Sequence, residues 1–238
     1  MDWRRQGRRK RRLRMEASGS DALSKFAPYE MQEQLLEIIG PNGFFVEAGA
    51  NDGLEQSNTY WLERFHGWRG VLVEAIPALY RNAAAERPDA QVFNCGLVSS
   101  SYDEPTITLR YAGLMSLVPG SRGSAEADDE WVEMGTKLRW EKPYEVAVPA
   151  RTLTSVLEEA GAPRPDLLSL DVEGYELEVL RGLDFERFGP RYLLLEIRRD
   201  DMREPLDVLL GEYYEVVREL SPFDALYRLR ADPAAASA

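Results

Sequence analysis

Apolar positions recur at helical spacing from Tyr29 to Ile39, through Met31, Leu35, Leu36, Ile38 and Ile39, and the run Gly40-Pro41-Asn42-Gly43 stops the pattern. The unbroken apolar stretch Phe44-Phe45-Val46 then predicts a short buried strand. From there the periods alternate: a helix from about Ser57 to Phe65, a strand from Val71 to Val73, a helix from Pro77 to Glu86 and a strand from Gln91 to Asn94. The second half resumes with helix Thr152 to Ala160, strand Leu167 to Leu170, helix Tyr175 to Leu180, strand Tyr192 to Ile197 and helix Glu204 to Leu210. Strands Tyr214 to Leu220 and Ala225 to Leu229 follow closely enough to form a closing hairpin. Such alternation predicts an α/β fold, a mostly parallel sheet with helices on both faces, whose ligands bind at the carboxyl ends of the strands where strand order reverses.

Residues 97–150 interrupt the alternation. Thr106 to Tyr111 and Glu145 to Val148 read as strands, and Gly120 to Asp129, rich in Gly, Ser and acids, as a mobile loop. An insertion over the carboxyl edge of such a sheet builds lids and substrate pockets, so acceptor specificity is expected here.

Composition and charge narrow the function classes. One cysteine, Cys95, and one histidine, His66, leave any metal to oxygen ligands. The net charge of −12 joins two regions of opposite sign: residues 1–14 hold eight basic side chains and one acid, whereas the remainder holds 21 basic and 40 acidic ones. An acidic body repels phosphate backbones, which disfavours nucleic acid as the partner. The expected organisation is a basic, disordered tail over 1–20, one domain over 21–232 and a flexible end over 233–238. No apolar run approaches the ~18–20 residues of a membrane span, and no apolar core follows the basic start as in a signal peptide, so a cytoplasmic location is expected.

The densest chemical signal is FFVEAGANDG, Phe44 to Gly53: a strand ending in Glu47, then a turn framed by Gly49 and Gly53 that presents backbone N–H groups at the start of the next helix. A nicotinamide fingerprint needs Gly-x-Gly-x-x-Gly, and Asn51 stands at its second glycine. Glu47 and Asp52 would repel a pyrophosphate but suit a cationic end, such as the ammonium and sulfonium of S-adenosylmethionine. Glu74, ending the second strand, can accept hydrogen bonds from both hydroxyls of an adenosine ribose. In Asp166 to Glu176, a buried strand delivers Asp171 and Glu173 to the same edge, one able to face the pocket while the other caps the helix or binds a cation.

The segments FVEAGANDGLEQSNTYWLER, GWRGVLVEAIPALY, RTLTSVLEE and PDLLSLDVEGYELEVLRGLDF resemble the FkbM family of S-adenosylmethionine-dependent methyltransferases over about residues 44–200. The resemblance implies a class I, Rossmann-like methyltransferase fold with a seven-stranded sheet whose last strand is antiparallel. It also implies O-methylation of a small-molecule hydroxyl, on a sugar or a polyketide-type natural product. Many members carry Lys where Ser169 stands here, so no role is assigned to that lysine. The cofactor set expected on this basis is Glu47, Gly49, Ala50, Asn51, Asp52, Gly53, Asn58, Glu74, Ala75 and Cys95, the last as a packing residue near the adenine edge. An aliphatic hydroxyl benefits from a base or a metal that lowers its pKa, and Asp171, Glu173 and Glu196 are the candidates, with magnesium or manganese on Asp171 and Glu173 if a metal is used. His66 is the alternative base, at the less favourable edge. A non-catalytic module that keeps the fold is the competing class. The joint presence of Glu47, Gly49, Gly53 and Glu74 favours the enzyme, since a module freed from its cofactor needs no pair of acids beside a glycine turn.

Overall fold

A computed structural model of the chain describes residues 3–230. In chain order the elements are α1 (Trp3–Ala17), α2 (Met31–Ile39), β1 (Phe44–Ala48), α3 (Tyr60–Phe65), β2 (Arg69–Val73), α4 (Pro77–Glu86), β3 (Gln91–Phe93), β4 (Gly96–Leu97) and β5 (Thr106–Tyr111). There follow α5 (Ala125–Arg139), β6 (Tyr144–Arg151), α6 (Leu153–Glu159), β7 (Leu167–Leu170), α7 (Glu176–Arg181), α8 (Phe185–Phe188), β8 (Tyr192–Glu196), α9 (Arg203–Leu210), β9 (Tyr214–Glu219) and β10 (Asp224–Leu229).

Seven strands form one sheet in the order β3-β2-β1-β7-β8-β10-β9, parallel except for β10, which runs antiparallel to both β8 and β9. This is the class I methyltransferase arrangement. Alternation along each strand assigns its side chains to two cores. Val46, Ala48, Leu168, Leu170, Leu193 and Leu195 meet Leu153, Leu157, Leu180, Leu206 and Leu210 of the helices on one face. Phe45, Leu167, Leu194 and Leu226 meet Met31, Leu35, Trp61 and Leu62 on the other. Strand order reverses between β1 and β7, whose carboxyl ends lie side by side with Ala48 opposite Leu170.

The insertion folds as a second sheet, β4-β6-β5, over Ile76, Val98, Ile107, Leu109 and Val148. The segment Gly120 to Asp129, expected to be a loop throughout, holds the start of α5. Ser124 caps that helix by accepting from the Ala127 N–H, and Glu126 and Asp128 favour its first turn electrostatically.

The basic start, expected to be a disordered tail, is helical over Trp3–Ala17 and docks on the body. Arg12 is only 5% exposed; it donates to Glu86 of α4 at 2.5 Å and to Glu16 at 3.1 Å, and its guanidinium lies over the Tyr60 ring. The acidity of the body, read as a repellent for phosphate, is what holds this helix. The flexible end expected over 233–238 lies outside the described residues.

Candidate active site

The carboxyl ends of β1, β2 and β7 border a cavity of about 410 Å³, roofed by the insertion. Its floor is the turn after β1. Gly49 takes φ +84°, and both its N–H and that of Ala50 point at the Val73 carbonyl at 3.1 Å, so the turn is folded back onto the end of β2. Asn51, at φ 50°, donates its N–H to Glu74 Oε2 at 2.7 Å, and Ile76 donates to Glu74 Oε1 at 2.7 Å. Burial pushes the Glu74 carboxyl up to about 7, against these two amide hydrogen bonds that favour its charged form. Gly49, Ala50, Asn51, Asn58, Glu74, Ala75 and Cys95 all line the cavity.

Three expected cofactor residues are employed differently. Glu47 reaches the cavity wall, but its carboxylate accepts from Ser57 Oγ at 2.9 Å, Asn58 N–H at 2.9 Å and Thr59 Oγ1 at 2.6 Å, with Arg87 at 3.5 Å. These bonds make Glu47 the bracket that shapes the 57–59 turn. Asp52 Oδ1 accepts from the N–H groups of Leu54 and Glu55, a local Asx-type turn, and Asp52 is not on the cavity wall. Gly53 faces Ala83 and Arg87 behind the turn. The helix expected to open at about Ser57 starts only at Tyr60, so α3 does not open directly from the Gly49–Gly53 turn.

Arg87 is the residue that pattern reading missed. It is 0% exposed and donates to Glu63 Oε2 through two nitrogens, at 2.9 and 2.7 Å, and to Thr59 Oγ1 and the Gly53 carbonyl. It follows α4 and precedes Pro88, a place that gives no hint of burial. Trp131, Met134 and Leu138 were missed as well, because their helical spacing continues out of a segment read as a loop. All three side chains line the cavity, together with Leu114 and Met115.

On the β7 side, Asp171, Glu173 and Glu196 converge, one carboxylate oxygen from each lying within 4.8 Å of the others. Glu173 is 8% exposed and takes φ 57°, held by the Ser121 hydroxyl, which donates to its carbonyl at 3.0 Å. Burial first, and then the neighbouring Glu196 charge, push Glu173 up to about 8, and the same causes raise Asp171 well above its ordinary value. Arg198 donates to Glu196 Oε1 at 2.6 Å and lies over the Phe223 ring. Asp171 Oδ1 and Glu173 Oε2 are sealed from solvent and have no hydrogen-bond partner, an arrangement that costs about 1–3 kcal/mol per group. Asp171, Glu196 and Arg198 also wall a second cavity of about 180 Å³.

The remaining candidates sort cleanly. Cys95 is 2% exposed and burial pushes its thiol up to about 11, which suits packing and not nucleophilic attack. Asn58 Nδ2 donates to Ser169 Oγ at 3.1 Å, tying the 57–59 turn to β7 at the position where many resembling sequences carry lysine. His66 caps the C-terminus of α3 ahead of β2, at the edge away from the cavity, with its ring against Trp61 at 4.1 Å. Burial lowers its pKa, and its ring does not reach the cavity wall where a base would act.

Comparison with known proteins decides the family. The methyltransferase FkbM domain model matches residues 47–228. The chain belongs to the FkbM methyltransferase family. Methyltransferase sdnD of Sordaria araneosa is 32% identical over 198 residues, covering 71% of this chain and 76% of that one. Methyltransferase FkbM from Methylobacillus flagellatus is similar in structure, with a TM-score of 0.47 at 16% identity over 79% of this chain, which spans 43% of that longer protein. An O-methyltransferase from Bacillus cereus in complex with SAH gives 0.46 at 12% identity, over 94% of this chain and 91% of that one. The matched FkbM region contains the Gly49 turn, Glu74 and the Asp171, Glu173 and Glu196 cluster.

Proposed function

We propose that this FkbM-family methyltransferase takes S-adenosylmethionine at the Gly49 turn and methylates a hydroxyl oxygen of a small molecule held beneath the insertion. The observation that carries this reading is the placement of Glu74, Asp171 and Glu173 on one cavity, with Glu196 gathered against the last two. Glu74 offers two acceptor oxygens for ribose hydroxyls, while Gly49, Ala50 and Asn51 leave backbone room beside it. Methyl transfer is mainly alignment: the acceptor oxygen must lie ~3–3.5 Å from the methyl carbon, in line with the sulfur. An oxygen lone pair forms the new bond to carbon, the carbon–sulfur bond pair returns to sulfur, and the hydroxyl proton passes to a carboxylate of the cluster. Burial fits that task, since a carboxylate with a raised pKa is the stronger base.

Leu114, Met115, Trp131, Met134 and Leu138 give the acceptor side of the cavity an apolar lining, which favours a polyketide-type acceptor over a bare sugar. Labelled-methyl transfer to a panel of apolar alcohols and free sugars tests this. Turnover confined to the apolar panel supports the reading, and turnover confined to sugars contradicts the acceptor assignment.

A further inference from the structure

We propose that Asp171, Glu173 and Glu196 form a binding site for one divalent cation of the magnesium or manganese type. The role of that cation next to the acceptor hydroxyl rests on the methyltransferase reading above, whereas its binding does not. The three side chains come from two adjacent strand ends, β7 and β8, and one oxygen from each lies within 4.8 Å of the others. Oxygens around a shared cation at ~2.1–2.5 Å reach that separation when they stand on opposite sides of it. The set is all oxygen, with no thiol or imidazole, which selects hard cations over zinc.

The second observation is the state of the oxygens. Glu173 is 8% exposed, and its Oε2 is sealed from solvent without a partner; Asp171 Oδ1 is in the same condition. Glu176, three residues along and 3% exposed, shows how this turn satisfies a carboxylate: its Oε1 accepts from the N–H groups of Val172 and Gly174. No such amide is turned toward Asp171 Oδ1 or Glu173 Oε2. Arg198 donates to Glu196 Oε1, and Arg122 stacks 3.9 Å over the Trp131 ring with its Nη1 unpaired, so neither guanidinium hydrogen-bonds Asp171 Oδ1 or Glu173 Oε2. Arg198 balances one of the three carboxylates, and a divalent cation would neutralise the other two. The turn is also fixed in place. Gly174 has φ +93°, and a Cβ there would stand 2.6 Å from the Ser121 carbonyl oxygen, so the 119–124 segment clamps the loop that carries Glu173.

The test is calorimetric titration of the full chain, freed of metal, with manganese and with magnesium at pH 7.5, alongside Asp171→Asn and Glu173→Gln. Each variant replaces an ionisable carboxylate by an amide of the same shape, and an unchanged or higher melting temperature in chelator confirms that it folds. The proposal expects one manganese ion per chain at ~1–100 μM, weakened at least tenfold in either variant. No manganese binding at 1 mM, or equal binding by both variants, would overturn it. S-adenosylhomocysteine titrated in chelator separates the two claims. Nucleoside binding without manganese binding removes the cation site and leaves the donor assignment standing, and manganese binding without nucleoside binding does the reverse.

Discussion

A Cβ on Gly49 would stand 1.8 Å from the carbonyl oxygen of Asp171. The two strands on either side of the order reversal approach so closely at their carboxyl ends that only a glycine fits between them, and its φ of +84° asks for glycine independently. The Gly49 turn and the carboxylate cluster are thereby locked to one another. Gly49→Ala is expected to lower the melting temperature by more than ~10 °C and to abolish nucleoside binding. Gly161→Ala, which has φ +58° but open space around its Cβ, is the control and should cost about 1 kcal/mol, or ~2–4 °C, in thermal melts.

Arg87 is the second lock, because its guanidinium is shared among Glu63, Thr59 and the Gly53 carbonyl behind the Gly49 turn. Replacing it with methionine keeps the volume but strands the buried Glu63 carboxylate, while Glu47 keeps its other donors. Such a loss costs about 3–5 kcal/mol, so Arg87→Met should melt at least ~6 °C lower, as read by circular dichroism.

Much of this organisation is legible in the sequence. The helix over Pro77–Glu86 and the strands Thr106–Tyr111 and Leu167–Leu170 fall where the apolar periods place them, the strand-end acids Glu74 and Asp171 reach the cavity, and Glu196 joins Asp171 beside it. Employment of the polar groups is much less legible. Glu47 and Asp52 look like ligands in a motif, yet their oxygens are taken by neighbours a few residues on, whose hydroxyls and amides carry no sign of direction in the sequence. The order in α1 escaped because the segment has almost nothing apolar to bury. It is held by Arg12 on Glu86, an ion pair between residues 74 positions apart.

Deleting residues 1–17 follows from that pair. Loss of Arg9 and Arg12 leaves Glu86 without its partners, and loss of Glu16 removes the acceptor of the Tyr60 and Ser24 hydroxyls. The truncated chain is expected to melt several degrees lower, and an unchanged melt would show that α1 is only laid against the body.

The Glu74 carboxyl supplies a pH signature. Burial holds its pKa at about 7 against an ordinary value of 4.5, so the ligand-free protein keeps a proton that the unfolded chain releases. Its contribution to stability is therefore full below pH 4.5 and is lost as the pH rises to about 7. Donor binding has the opposite sign, because ribose hydroxyls donate best to the ionised form. Affinity for S-adenosylhomocysteine should be full above pH 7 and fall by up to tenfold per unit below it, a dependence that Glu74→Gln flattens in titrations from pH 5.5 to 8.

The most direct test of the account is calorimetric titration of the full chain with S-adenosylhomocysteine and, separately, with NAD. One site at ~micromolar Kd for the first, no heat for the second, and loss of the first in Glu74→Ala are the predicted results. Absence of heat with S-adenosylhomocysteine and with S-adenosylmethionine, from protein that melts cooperatively, would contradict the assignment of the Gly49 turn as the methyl-donor site.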